Sequence, residues 1–179
     1  CRGFDAVFTS ASGSEMTSRD GGRYIDFLAG CSSLNYGHND PDLQAALVDH
    51  IEAGGIAHGL DMHTDTKEAF IASFEERILA PRDMSHKLMF TGPTGANAVE
   101  AAMKIARKVT GRTNIIAFTN GFHGVTQGAL AATGNGYHRG GAGMTLNGVT
   151  RMPYDSYFSG FGDTADFVEA MLNDRSSGL

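Results

Sequence analysis

The chain has 179 residues, of which 41% are hydrophobic and 19% are charged, and its formal net charge is −6. This length allows one ordinary domain with a core, and this composition excludes a wholly disordered chain. Lysine and arginine form no basic stripe and no apolar run approaches roughly 18 residues, so the sequence predicts no contact with nucleic acid and no transmembrane helix. The two cysteines, Cys1 and Cys31, provide no disulfide framework and fit a reducing cytoplasm.

The first part of the chain predicts short strands followed by two helices. Residues 7–8 and 24–28 are typical of strands, with turn chemistry between them. The pair Asp40-Pro41 is typical of an N-cap and a first helical residue. A second amphipathic helix is predicted to begin at Thr66.

The middle of the chain alternates predicted strands, turns and helices. We expect a short buried strand at Leu88-Met89-Phe90, another at 115–118 and a short helix over 125–132. A longer helix lies between the two strands. Its inward face is expected to comprise Val99, Ala102, Met103, Ala106 and Val109.

A glycine-rich loop at 134–148, a strand at 149–152 and a helix at 163–172 complete the predicted elements. The alternation favours an α/β domain with a parallel-rich sheet and flanking helices. We therefore expect two parts. Residues 1–80 are interpreted as a segment of a small domain, and residues 81–179 as a partial large domain that is truncated at its C-terminal end.

The strongest local signal is the glycine-rich turn that separates the predicted strand at 88–90 from the long helix. A helix N-terminus has unpaired N–H groups and a partial positive charge, so Gly95 and Ala96 are predicted to bind an anion such as a phosphate. The lysine of a P-loop and the Rossmann glycine pattern are both absent. A plain glycine-rich connection without a ligand remains the alternative, because most helix N-termini bind nothing.

The second signal is the pair Phe122-His123, which stands between glycines just after the predicted strand at 115–118. Ligands bind at the carboxyl edge of parallel sheets, and an aromatic ring there can stack on a flat heterocycle. A surface histidine beside a packed phenylalanine is the alternative.

Metal binding and hydrolysis have weaker support. His58 and His63 lie near two aspartates, but neither a zincin motif nor paired cysteines accompany them, so we predict no metal site. A Gly-x-Ser-x-Gly elbow is also absent, so a hydrolase triad has no anchor.

Four segments together resemble the class III aminotransferases of the ornithine and GABA type, in the family's order and over nearly the whole chain. Residues 92–107 resemble the family's phosphate-binding segment, and residues 120–130 its cofactor-stacking segment. The runs Tyr24–Phe27 and Asn35–His38 resemble its N-terminal motifs.

Three further segments resemble the diaminobutyrate aminotransferases of ectoine biosynthesis, namely 58–64, 90–95, and 139–143 ahead of 149–155. This resemblance implies transfer of an amino group from L-glutamate to L-aspartate 4-semialdehyde, giving L-2,4-diaminobutyrate and 2-oxoglutarate. Siderophore-associated diaminobutyrate aminotransferases and other ω-aminotransferases are the nearest alternatives.

The resemblance implies a PLP-dependent transferase of fold type I with pyridoxal 5′-phosphate (PLP) as cofactor. The N–H groups of Gly95 and Ala96 would bind the phosphate, the ring of Phe122 would lie against the pyridine ring, and His123 would support the cofactor or line the substrate side. Small-molecule amino donors and acceptors, a cytoplasmic location and a homo-oligomer, a dimer or larger, are also implied.

The chain departs from the family in length, because family members are more than twice as long. It starts at Cys1 rather than methionine and stops at Leu179 just after a predicted helix, so we expect a piece of a longer protein. The lysine that forms the Schiff base and the aspartate that keeps the pyridine nitrogen protonated are expected outside this chain. The catalytic lysine is therefore not expected among the four lysines present, Lys67, Lys87, Lys104 and Lys108.

This chain alone is accordingly predicted to be inactive. The residues of this chain are also compatible with two other functions. One is a different PLP enzyme of the same fold, such as an aminomutase or a decarboxylase-like protein. The other is a phosphate-binding or interaction domain without enzymatic activity.

Overall fold

The structure, a computed structural model, describes residues 5–159 and 162–179. The chain divides into two compact units, one ending at His86 and one beginning at Lys87, and each is described by itself. The predicted assignment of 1–80 and 81–179 to the small and large domains of an enzyme stays a prediction. Cys1 lies outside the described residues, and Cys31 is an exposed free thiol.

The first unit contains an antiparallel sheet of three strands in the order β1-β2-β3. The strands are β1 (Phe8–Ser12), β2 (Glu15–Ser18) and β3 (Arg23–Ile25). Strands predicted near 7–8 and 24–28 are thus present as β1 and β3. The sequence did not predict β2, whose last two residues, Thr17 and Ser18, fall in the stretch 17–23 that has the composition of a turn.

The helices of the first unit follow the sheet. They are α1 (Ala29–Ser32), α2 (Pro41–Glu52) and α3 (Asp65–Phe74), which continues as a π-helix over Glu75–Leu79 and a 3₁₀ turn over Ala80–Arg82. Asp40 is confirmed as the N-cap of α2, because its carboxylate accepts hydrogen bonds from the N–H groups of Asp42 and Leu43. Thr64 caps α3 in the same way through the N–H of Lys67. Neither α2 nor α3 contains a buried residue, so their apolar faces stay exposed.

A hydrogen bond between side chains joins the two N-terminal motifs of the first unit. Nε2 of His38 lies 2.8 Å from Oδ2 of Asp26, and Oδ1 of Asp26 accepts hydrogen bonds from the N–H groups of Leu28 and Ala29. His38 also exchanges two backbone hydrogen bonds with Gly13. The segment that leads into α2 is therefore fixed to the turn between β1 and β2.

Replacing Asp26 with asparagine is expected to lower the thermal midpoint of the chain at pH 7. Hydrogen bonding from the Ala29 N–H, and then from His38, holds the pKa of the Asp26 carboxyl below its ordinary value. A carboxyl whose folded pKa is lowered stabilises the fold above its unfolded pKa and loses that contribution as the pH falls. The difference between wild type and D26N should therefore shrink below about pH 4.

Circular dichroism melts at pH 7 and at about pH 3 measure this difference. The matched control is D49N, which removes an exposed carboxylate from α2. A D26N deficit that is equally large at both pH values would contradict the predicted role of the ionised carboxylate.

The second unit is an α/β arrangement around a parallel pair of strands. Strands β4 (Ile115–Phe118) and β5 (Val149–Met152) pair in parallel, with Ile115 opposite Val149 and Phe118 opposite Met152. The helices are α4 (Gly95–Thr110), α5 (Gln127–Ala132), α6 (Gly136–Gly140) and α7 (Thr164–Asn173). No helix among the described residues is both long and apolar enough to cross a membrane.

Most predicted elements of this unit are confirmed, including the parallel sheet. The loop predicted at 134–148 also contains the short helix α6. The strand predicted at Leu88-Met89-Phe90 is wrong, because the structure has no strand there, and Met89 and Phe90 are 64% and 56% exposed. Ladder hydrogen bonds to a neighbouring strand define a β-strand, so an apolar sequence alone does not produce one.

The core of the second unit lies between α4, α5 and the sheet. Met103, Ala117 and Ala132 form its buried cluster, with Val99, Ile115 and Val149 packed against it. Of the predicted inward face of α4, Val99 and Met103 are confirmed. Ala102, Ala106 and Val109 are exposed instead, because a sheet of two strands covers only a narrow stripe of the helix.

Candidate functional site

The N-terminus of α4 offers unpaired backbone donors to open space. The hydroxyl of Thr94, the N-cap, accepts a hydrogen bond from the N–H of Asn97 at 3.4 Å. Among the described residues, none accepts from the N–H groups of Gly95 and Ala96. A Cβ built on Gly95 would meet no heavy atom within 4 Å. An anion can therefore approach the positive end of this 16-residue helix without steric hindrance.

Phe122 presents an aromatic ring at the surface of the same unit. Its side chain is 60% exposed, and its ring makes an edge contact with the ring of His138, with 5.3 Å between centroids. Much of the ring is thus accessible to a flat heterocycle, which would bury it.

His123 is half-buried and is held by its backbone. Its N–H donates to the hydroxyl of Thr133 at 3.0 Å, and that fully buried hydroxyl donates to the carbonyl of Gly124 at 2.9 Å. The imidazole packs over Gly121, where a Cβ would lie 2.8 Å from Nε2. The structure thus shows how His123 is fixed, whereas its contact with a cofactor stays a prediction.

Gly124 brings the loop of Phe122 and His123 into contact with the start of α4. It is buried and has φ of +122°, and a Cβ built there would lie 2.6 Å from Cβ of Ala96 and 3.3 Å from Cβ of Ala129. Such distances are shorter than van der Waals contact, so only glycine allows this approach. The two predicted motif loops are therefore neighbours in the fold.

Glu100 joins α4 to α5. Its Oε1 accepts hydrogen bonds from the hydroxyl of Thr126 at 2.6 Å and from the N–H of Ala129 at 2.9 Å. The Thr126 hydroxyl, helped by the N–H groups of Ala129 and Gly128, lowers the pKa of the Glu100 carboxyl, so the carboxylate is ionised at neutral pH.

Two arginines hold the other end of α5. Nη1 of Arg139 donates to the carbonyls of Leu130, Ala131 and Thr133 at 3.0–3.1 Å, and Nη2 of Arg151 donates to those of Ala131 and Thr133. Cations are favoured at helix C-termini. Burial, and then the proximity of Arg139, lowers the pKa of Arg151.

The sequence motifs contain Glu100, Thr126, Arg139 and Arg151, but the sequence predicted no role for any of these four residues. Thr126, as an N-cap residue before an alanine-rich run, was the one local signal for this network. The partners themselves are distant in the chain, because Glu100 precedes Thr126 by 26 residues.

A cavity of about 380 Å³ lies against β4, lined by Val99, Met103, Tyr154 and the strand itself. It does not include Gly95, Ala96 or Phe122, and no lysine or arginine lines it. Asn120 and the candidate residue His123 do line it, so the cavity reaches the loop of Phe122 and His123. We place the candidate phosphate site at the N-terminus of α4, because the unpaired N–H groups of a helix start suit an anion and no lysine or arginine lines the cavity.

In the part of the chain that the structure describes, the histidines and lysines contribute no metal site or reactive amine at the start of α4. Within residues 5–159 and 162–179, no group of three His, Cys, Asp or Glu side chains could hold a metal ion. His58 and His63 are accordingly in no such group. Nζ of Lys67 donates to the carbonyls of Leu60 and Met62 in the first unit. Lys104 and Lys108 are exposed and lie more than two helical turns beyond Gly95.

Comparison with known proteins adds a family and a fold. The model of the aminotransferase class-III family matches residues 2–174. A diaminobutyrate–2-oxoglutarate transaminase of Vibrio cholerae is 56% identical over 176 residues, which are 98% of this chain and 42% of that protein. The chain therefore spans less than half the length of this curated relative.

Solved structures agree in fold. An S-selective transaminase from Arthrobacter sp. superposes with a TM-score of 0.81 at 23% identity, covering 94% of this chain and 40% of that one. An amine transaminase from an uncultivated Pseudomonas species, crystallised in its PLP-bound form, gives a TM-score of 0.71 at 26% identity, covering 85% of this chain and 35% of that one. The predicted fold type I is thereby confirmed.

Proposed function

The chain belongs to the class III aminotransferases, and from this premise we propose that it supplies the N-terminal part of a PLP-dependent enzyme. That enzyme would transfer the amino group of L-glutamate to L-aspartate 4-semialdehyde. Its products would be L-2,4-diaminobutyrate and 2-oxoglutarate. The observation that carries this proposal is the 56% identity, over almost the whole chain, to a protein named for diaminobutyrate and 2-oxoglutarate.

The residues of this chain fit PLP. The unpaired N–H groups of Gly95 and Ala96 suit the phosphate, and the open space beside Gly95 admits it. The exposed ring of Phe122 suits the flat face of the pyridine, and His123 stands next to it on the same loop. When bound, PLP supplies the electron sink that lets the amino acid lose its Cα proton. The role of these four residues is to bind and orient it.

Three finer features belong to the same proposal. The diaminobutyrate would enter ectoine biosynthesis and so serve osmoprotection. The enzyme would act in the cytoplasm, with which the free thiol of Cys31 is compatible. It would act on small molecules as a homo-oligomer, a dimer or larger.

A direct assay separates this proposal from its alternatives. The complete protein is incubated with PLP, L-glutamate and L-aspartate 4-semialdehyde, and the products are identified by mass spectrometry. Formation of 2,4-diaminobutyrate and 2-oxoglutarate in equal amounts is expected. Transfer to other ω-aldehydes alone would favour another class III ω-aminotransferase. PLP binding without any transfer would favour a related fold-type I enzyme, and no PLP absorbance band would favour a domain without a cofactor.

Two substitutions test the cofactor residues in the complete protein. Phe122→Ala is expected to weaken PLP binding by on the order of 1 kcal/mol through lost stacking. Gly95→Val should weaken it more, because its side chain would occupy the open space that the phosphate needs. Titration of the PLP absorbance band measures both.

Gly162→Val is the control, since Gly162 is exposed and its Cβ would also meet nothing within 4 Å. Unchanged PLP affinity in both F122A and G95V would show that the cofactor binds elsewhere.

A further inference from the structure

The start of α5 is closed by a side chain from another helix. Thr126 is the N-cap of α5, yet its side chain caps no N–H of the helix. Its hydroxyl donates to Glu100 instead, and the same carboxylate oxygen accepts the N–H of Ala129. Glu100 therefore performs the capping that Thr126 does not.

This contact is close, and the chain is shaped for it. A Cβ built on Gly128 would lie 2.2 Å from Oε2 of Glu100, so the carboxylate occupies the space of a side chain at position 128. Thr126 and Gln127 are exposed, but Ala129, whose N–H Glu100 accepts, is fully buried. An uncapped N–H there would lose a hydrogen bond without replacement.

The other end of α5 holds the loop of the candidate site. The hydroxyl of Thr133 bonds to His123 and Gly124, and the N–H of Gly134 donates to the carbonyl of Gly121 at 2.8 Å. The loop is thus fixed to the end of α5, while Glu100 fixes the start of α5 to α4. A displacement of α5 would move the loop relative to the N-terminus of α4.

We infer that Glu100 is a positioning residue for the cofactor, an inference that rests on the proposed function. Through α5, its carboxylate holds the loop with Phe122 in register with the N–H groups of Gly95 and Ala96. The carboxylate of Glu100 is taken up by Thr126 and Ala129, so it acts through α5 and is not one of the residues proposed to bind the cofactor. It sets the geometry in which the phosphate and the ring are bound at the same time.

The test uses the complete protein and the variants E100A, E100Q and T126V, with E169Q as a control that removes an exposed carboxylate from α7. PLP dissociation constants come from absorbance titration, and hydrogen exchange of the amides at 127–130 is followed without PLP. We expect E100A to raise the dissociation constant roughly tenfold, and E100Q and T126V roughly threefold each. In the double variant E100A/T126V, the dissociation constant should stay close to that of E100A, because both substitutions remove the same contact. The amides should exchange faster in all three variants.

Several outcomes overturn the inference. One is that folded E100A and T126V bind PLP as tightly as the wild type does. Another is that the amides at 127–130 exchange faster while the PLP affinity is unchanged, because Glu100 would then only stabilise α5. An equal loss in E169Q would show a general charge effect. If E100A does not fold, the PLP affinities of E100Q and T126V test the inference in its place. Wild type that binds no PLP refutes the proposed function itself, which distinguishes the two failures.

Discussion

Gly124→Ala is expected to lower the free energy of unfolding of the second unit by about 3 kcal/mol, from a left-handed backbone and a steric clash together. The residue has φ of +122°, a region that side chains with a Cβ rarely adopt. Its Cβ would also lie 2.6 Å from Cβ and 3.1 Å from Cα of Ala96. Backbone atoms of a helix cannot move aside cheaply, so the loop must shift and the candidate site with it.

Gly111→Ala separates the two contributions. Gly111 ends α4 with φ of +71°, but a Cβ there would meet nothing within 4 Å. Only the backbone cost of about 1 kcal/mol is expected. Urea unfolding followed by circular dichroism measures both variants. Equal losses in G124A and G111A would show that the contact with Ala96 is looser than the structure has it.

Purified residues 1–179 are expected to show no glutamate-dependent amino transfer to any ω-aldehyde. The chain offers donors for a phosphate and an aromatic ring, but the resemblance implies a Schiff-base lysine outside this chain. Within α4, Lys104 and Lys108 lie more than two helical turns from Gly95. Without a covalent bond to lysine, PLP would be held by the phosphate contacts and one ring face alone. Its affinity should therefore fall by several kcal/mol relative to the complete protein.

Borohydride reduction with PLP, followed by digestion and mass spectrometry, provides the measurement. No pyridoxyl group should accumulate on one particular lysine, and the complete protein treated in parallel should carry one. A stoichiometric adduct at Lys67, Lys87, Lys104 or Lys108 together with turnover would refute the assignment of catalysis to another part of the enzyme.

Local sequence signals predicted the elements that depend on local interactions. The cap at Asp40 is formed by its own side chain within three residues, so the sequence contains all of it. The same holds for α4, whose start is marked by Gly95 and whose end by Gly111. Strand β4 was found because it is a short apolar run, and β5 because it begins and ends with an apolar residue; unlike residues 88–90, the two strands pair with each other.

Elements that depend on distant partners were missed or mistaken. The apolar run at 88–90 has the composition of a strand but not its ladder of hydrogen bonds. Val109 lies at a helical spacing that predicts an inward-facing residue, yet it is 78% exposed. Periodicity identifies the apolar face of a helix but does not show which element, if any, packs against that face.

The same difference between local signals and distant contacts applies to the candidate site. Gly95, Ala96, Phe122 and His123 could be selected from two glycine-rich turns, and their roles toward PLP stay predictions. The contact that brings the two turns together, Gly124 against Ala96, could not be read from either turn. Neither could the capping of α5 by Glu100, which is a property of the tertiary fold.

Helix α5 is held at both ends, by Glu100 at its start and by Arg139 and Arg151 at its end, so its formation depends on residues that are synthesised at different times. A helix of six residues does not persist alone in water, so α5 acquires its structure only when both anchors exist. Glu100 is synthesised before it, but Arg151 follows 19 residues after Ala132. Arg139 is synthesised earlier, seven residues after Ala132, so we expect the loop with Phe122 to be held in part before β5 emerges and fully only after Arg151 has joined the same carbonyls. Nascent chains that end before β5 are therefore expected to hold the candidate site less firmly than the finished chain does.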